Sequence, residues 1–340
     1  MTKSLLRVLA GEAVWPPPVW LMRQAGRYLA EYRAIRAQAG DFITLCTTPA
    51  LAAEVTLQPL RRFGMDAAIL FSDILLVPWA LGQPLRFAEG EGPVLDPVRD
   101  AAALARLQPA SLLDRLAPVL ETVSRVRADA GAATVIGFAG SPWTVACYMV
   151  EGAGSKEFVT TRMLAYTDPA LFAAIIATLV DATTDFLIAQ VAAGAETLML
   201  FDSWAGVLPA AGFRAHVIAP TAQIVQRVRA ACPAVRIIGF PRLAGGMLGE
   251  YARLTGVDAV GLDTQPDPRV VGIGVPVQGN LDPIALLAGG CALEAAVDVV
   301  LDAARGRPWV FNLGHGVLPA TPPEHVAHLL SRVRAASGVA

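Results

Sequence analysis

In "VWLMRQAGRYLAEYR" (19–33) two arginines, Arg23 and Arg27, follow a short apolar run at a spacing of four. A guanidinium carries its N–H donors in a planar fork and is seldom buried without a partner. An anion should therefore face this pair, either a carboxylate of the chain or one brought by a ligand. Other chemistry-bearing residues stand at the same relative place, just after further apolar runs. They are Ser72 and Asp73, Tyr148 in "GSPWTVACYMVEG", Asp202 with Ser203 and Trp204, Arg242, Asp263 with Thr264, Gly279 with Asn280 and Asp282, and His315 in "GHG". Arginine pairs with carboxylate in a bidentate manner. Two arginines with an aspartate, a tyrosine, a serine and a histidine thus suit an anionic organic substrate bearing several carboxylates. The chemistry would be acid–base or electrostatic rather than redox.

Each residue also has a purely structural reading. Asp73 could cap the following helix. Asp202 and Asp263 could serve arginines or caps nearby. Arg23 and Arg27 could share a solvated helix face, although the apolar run before them and Gly26 between them speak against it. "SPW" reads as an N-cap with proline at the first helical position, which places Tyr148 two turns into a helix, where it could be a core residue. His315 lies between glycines that let a ligand approach closely. Thr321 and Glu324 read as a capping box that starts the last helix, leaving His315 in a loop.

The elements that must position these residues are eight apolar runs of strand length: 18–22, 66–71, 134–139, 196–201, 235–240, 258–262, 274–278 and 308–313. They are apolar throughout rather than alternating, as in parallel strands buried on both faces. Helix-like segments separate most of them. The pattern predicts an α/β fold, a (β/α)8 TIM barrel spanning 1–340 as a single domain, with a doubly wound open sheet as the alternative. The interval 263–273 has room for at most a short helix, and those after the second and third runs must hold extra elements. In such a barrel chemistry collects at the carboxyl ends of the strands, where the residues above stand.

Composition narrows the function. A formal charge of -2 argues against a nucleic-acid partner. The most apolar region, 171–201, is interrupted by Asp181, Asp185, Gln190 and Glu196. It reads as a buried helix followed by a buried strand rather than a membrane span. The N-terminal residues do not form a signal peptide, since Arg7 splits a short apolar run and "WPPP" follows. Cys46, Cys147, Cys232 and Cys291 are far apart, without metal-type spacing, and read as reduced, mostly buried thiols. Neither nucleotide-binding glycine patterns nor HExxH or GxSxG occur.

Several of these stretches resemble one family. "PVWLMRQAGRYLAEYR" and "GFAGSPWTVACYMVEGAGS" are similar to two signatures of the uroporphyrinogen decarboxylases, and "LFSDILLVPWALG", "VQGNLDP" and "FNLGHGVLPATPPEHV" match in order. The resemblance implies a cytoplasmic homodimer, without metal or organic cofactor, that converts the four acetate side chains of uroporphyrinogen III to methyls in tetrapyrrole biosynthesis. It implies that Asp73 accepts hydrogen bonds from the pyrrole N–H groups. Arg23 and Arg27 would bind substrate carboxylates, with Arg23 also a candidate proton donor and Gln24, Ala25 and Gly26 in the same binding segment. Tyr148, Ser203 and His315 would touch substrate. Ser203, Ala205 and Arg242 depart from residues common in the family. The competing readings are a zinc-dependent methyltransferase on the same fold, which needs a His–Cys ligand set not visible here, and a non-catalytic porphyrin carrier.

Overall fold

A computed structural model describes residues 2–88, 92–269 and 271–336. Among the described residues nine strands form: β1 (Ala67–Ile69), β2 (Leu85–Ala88), β3 (Gly92–Leu95), β4 (Thr134–Gly140), β5 (Thr197–Asp202), β6 (Arg236–Pro241), β7 (Ala259–Gly261), β8 (Val277–Leu281) and β9 (Trp309–Leu313). All but β2 and β3 join one sheet in the order β1-β4-β5-β6-β7-β8-β9, every pairing parallel. β2 and β3 make an antiparallel ribbon in the long interval after β1. Among the described residues of the interval between β7 and β8 no helix intervenes.

The run at 18–22 is the eighth staff of the barrel, reduced to one bridge. Val19 pairs in parallel with Phe311 of β9. On its other side the Val19 carbonyl accepts from Asp66 N–H at 2.8 Å, and the Val19 N–H donates to the Asp66 carboxylate at 2.7 Å. The sheet therefore closes between β9 and β1. The expected full strand does not form for two reasons. Pro16, Pro17 and Pro18 have no N–H to extend a ladder, and Arg23 turns the chain away in a left-handed conformation, φ 60°. With Val19 as position one, β1, β4, β5, β6, β7, β8 and β9 occupy positions two to eight. Asp66→Ala removes the side-chain half of this clamp. It should destabilise the fold by about 2 kcal/mol, the cost of a hydrogen bond to a charged acceptor, checked by urea unfolding.

The barrel interior and the helix–sheet layer form one continuous hydrophobic core. The helix Pro169–Ala192 is long and apolar enough by length and hydropathy to cross a membrane, and about half of its most apolar stretch is buried. It packs against the helices Leu112–Asp129, Pro142–Glu151 and Ala219–Ala231 and against β4. It is followed by β5, as the sequence predicts. All four cysteines are free; Cys46 and Cys147 are buried, Cys232 is half-buried and Cys291 is exposed.

Candidate active site

The residues singled out stand where the strands end. Arg23 and Arg27 follow position one, Asp73 position two, Tyr148 position three, Ser203 position four, Arg242 position five and His315 position eight. Arg23 is the hub. Its charge acts on Asp73, Tyr148, Arg27 and Arg242, and on His315. Loss of water around it lowers its pKa, an effect partly offset by Asp73. Neither Arg23, Arg27 nor Arg242 has a hydrogen-bonding or ion-pair partner for its guanidinium among the described residues. Most other arginines of the chain do, such as Arg332 with Asp298 and Arg214 with Glu250.

The turn 21–26 is locked from within. Gln24 is fully buried. Its Oε1 accepts from Leu21 N–H at 3.1 Å and its Nε2 donates to the Ala67 carbonyl at 2.9 Å. Its own N–H donates to Leu21 O. Its side chain therefore points into the fold and ties the arginine turn to β1. The N–H groups of Arg23, Ala25, Gly26 and Arg27 meet no acceptor among the described residues. They form a set of donors between the two guanidiniums. A Cβ on Gly26 would lie 2.9 Å from the Arg23 carbonyl.

Asp73 is half-buried. One oxygen is used: Oδ1 accepts from Leu75 N–H at 2.8 Å, in a turn that leads into the helix Leu76–Ala80. The other oxygen stays available. Desolvation raises its pKa to about 6, moderated by the Leu75 N–H and by Arg23. Asp73 is therefore mostly ionised at neutral pH. Tyr148 lies two turns into the helix Pro142–Glu151, which has Ser141 at its N-cap and Pro142 at its first position. Desolvation raises the phenol's pKa, and Asp73 adds to this, so it remains a hydroxyl. His315 is half-buried. Desolvation first, then Arg23 and Arg242, lower its pKa to about 4. It is a neutral imidazole in the free protein.

Arg23 lies across the backbone of the "GHG" loop. A Cβ at Gly316 would overlap Arg23 Cδ and lie 2.6 Å from Cγ. Gly316→Ala should swing Arg23 aside, lowering kcat/KM by roughly tenfold or more while Tm changes little; steady-state kinetics beside calorimetry would show it. The capping box expected at Thr321 and Glu324 does not form. The last helix, Pro323–Ala335, starts one residue later with Pro322 at its N-cap, and the buried Thr321 hydroxyl has no partner. His315 is in a loop all the same.

Asp263 and Asp202 are structural anchors beside the mouth. Asp263 accepts from Leu243 and Gln265 N–H groups at 2.5 and 2.8 Å. Asp202 is fully buried and accepts from the Thr144 hydroxyl, which in turn accepts from Trp204 N–H at 3.0 Å. This relay holds the turn that presents Ser203. Arg242 follows β6 at the spacing of the other mouth residues, as its place in the sequence predicts. Thr144, which no motif in the sequence marks, is the residue that sequence reasoning missed. No group of three or more His, Cys, Asp or Glu able to hold a metal occurs among the described residues.

A closed parallel barrel with unpaired guanidiniums and the ionised carboxylate of Asp73 at its mouth defines a class: barrel proteins that take polycarboxylate ligands at the carboxyl ends of their strands. Comparison narrows the class. The family description "Uroporphyrinogen decarboxylase (URO-D)" matches residues 1–336. A uroporphyrinogen decarboxylase of Acidiphilium cryptum is 61% identical, over 98% of this chain and 94% of that protein. One from Gluconacetobacter diazotrophicus is 59% identical, over 98% of both. The chain belongs to the uroporphyrinogen decarboxylase family. Among solved structures, a methyltransferase from Methanosarcina mazei superposes with a TM-score of 0.76 at 21% identity, covering 97% of both chains; that likeness concerns the fold.

Proposed function

We propose that this chain decarboxylates uroporphyrinogen III to coproporphyrinogen III in tetrapyrrole biosynthesis, acting as one catalytic domain over 1–340. The observation that carries the reading is Asp73, ionised, half-buried and with one oxygen open, beside an arginine that has no partner of its own. Carboxylate binding alone needs only the arginines. An anion set under the macrocycle is useful when positive charge develops there.

Each acetate –CH2–COO⁻ takes up one proton overall and becomes –CH3 and CO2. Protonating the ring carbon next to the one that bears the acetate makes a cationic ring. The electrons of the breaking C–C bond flow into that cation, the resulting exocyclic methylene is protonated to the methyl, and the ring carbon gives its proton back to restore the pyrrole. Asp73 accepts hydrogen bonds from the pyrrole N–H groups and stabilises the cation in a site shielded from water. Arg23 and Arg27, with the amides of Ala25 and Gly26, hold substrate carboxylates, and Arg23 is a candidate proton donor. Tyr148 and Ser203 offer hydroxyls. The neutral His315 can donate or accept one hydrogen bond without competing for the arginines' anions. The residues supply the whole sequence without metal or organic cofactor.

The proposed setting is the cytoplasm, with neither nucleic acid nor membrane as partner, and the proposed assembly is a homodimer. An apolar face on the helix Val159–Thr167 supports the dimer: Val159, Met163 and Tyr166 are exposed there at helical spacing. Light scattering at micromolar concentration tests it. The activity is tested by anaerobic incubation of chelator-treated protein with uroporphyrinogen III, separating products by carboxylate number. Successive seven-, six-, five- and four-carboxylate species are expected. Absence of product from folded protein defeats the reading.

A further inference from the structure

Resting on that reading, we propose that Arg242 is a third substrate anchor, binding carboxylates on the edge of the macrocycle opposite the one held by Arg23 and Arg27. The substrate carries carboxylates around its whole perimeter. The arginines and histidine so far assigned follow positions one and eight of the barrel and can grip only one side. Arg242 follows β6, position five, directly across the ring of strands from position one.

Its backbone is fixed from several sides. The Arg242 N–H donates to the Asp202 carbonyl at 3.0 Å, and its carbonyl accepts from Gly206 N–H at 3.1 Å. The next residue, Leu243, has a left-handed φ of 60° and is held by its N–H bond to Asp263. Gly206 leaves no room for a Cβ against the Leu243 carbonyl. The loops after β5 and β6 are thus stitched together, and the fold maintains a strained residue to keep them so. Arg242 is half-buried, unlike the partnerless and exposed Arg106 and Arg253. Its guanidinium meets no acceptor among the described residues, yet its charge acts on both Arg23 and His315. A half-buried guanidinium that meets no acceptor and feels other cations needs an anion, and the polycarboxylate supplies it.

The experiment compares wild type, Arg242→Ala, Arg242→Lys and Arg253→Ala with uroporphyrinogen III under anaerobic conditions. Arg242→Ala should raise KM about tenfold with kcat within about threefold, the mark of lost uniform binding. Arg242→Lys should recover part of the loss, as a point charge without the planar fork, and Arg253→Ala should behave as wild type. An unchanged KM in Arg242→Ala overturns the proposal. So does a fall in kcat and Tm together with no recovery by lysine, which would mark a structural role. If wild type itself fails to turn over, the reading above fails, and retention of uroporphyrinogen in anaerobic equilibrium dialysis decides this inference. Tenfold weaker retention by Arg242→Ala supports it, and equal retention overturns it.

Discussion

Asp73→Asn should lower kcat by about 10²–10³-fold, the usual cost of removing one preorganised electrostatic partner of a developing charge, and leave the fold intact. Asparagine keeps the shape and the acceptor for Leu75 N–H but lacks the charge that a cationic ring requires. The pH dependence carries the same signature. Activity needs the ionised carboxylate, so kcat/KM of the wild type should rise as pH passes through about 6. The asparagine variant should lack that limb. Stability runs the other way. Folding raises the pKa of Asp73 above its ordinary 3.8, so between pH ~4 and ~6 the folded chain binds the proton more tightly than the unfolded one. The stabilising contribution of the protonated form is lost as pH rises through this window. At pH 8 the variant should therefore melt no lower than wild type, and any advantage should shrink below pH ~4. Thermal scans at both values beside single-turnover assays check this. A variant that is inactive because it melts early would place Asp73 in the scaffold instead.

Arg23→Ala is the second large effect, with an expected loss of about 10²-fold or more in kcat/KM, the scale for a charged anchor whose anionic partner is left without it. The arginine sits where Asp73, Tyr148, Arg27, Arg242 and His315 converge electrostatically. Removing it takes away a carboxylate anchor and the candidate proton donor together. Arg23→Lys should not restore full activity, since an ammonium cannot reproduce the fork. Arg305→Ala is the control. Arg305 caps the end of the helix Gly290–Ala304 before β9, at the opposite end of the barrel, with Asp302 at 3.5 Å and Trp15 beneath its guanidinium. Its removal should change kcat/KM by less than about twofold, as for most exposed ion pairs. Equal losses in the two variants would make the segment 19–33 structural.

The barrel was legible in the sequence because parallel strands buried on both faces leave unbroken apolar runs. Where the reading slipped, backbone chemistry intervened. β8 starts at Val277 rather than at 274 because Pro276 cannot donate to a ladder; the first paired N–H is that of Val277, to Pro308. Pro322 and Pro323 shift the last helix past Thr321. The ribbon β2–β3 was hidden inside an interval expected only to hold extra elements, although "LRFA" and "GPVL" stand close together in it. The chemistry at the mouth was legible in residue type and place: Arg23, Asp73, Tyr148 and His315 share one electrostatic neighbourhood. The direction of a side chain was not. Gln24 lies between two mouth arginines, yet a tight turn points it inward. Arg242 was legible as a residue that follows a strand, but only the closed order of strands sets it across the barrel from Arg23.

Closure at Val19 has a consequence for how the chain acquires activity as it is made. The staff at position one cannot complete its pairing until Phe311 exists, and Arg23 cannot take its place until Gly316 does. The contacts that seal the ring span nearly 300 residues, a costly loop to close and one that local structure cannot form in advance. On the ribosome, Arg23 and Asp73 emerge well before the residues that complete the mouth they share, such as His315 and Gly316. A nascent or truncated chain ending before β9 would expose an unpaired edge on β8 and an arginine turn without its glycine support. Competence for substrate thus waits on the arrival of β9 and the loop that follows it.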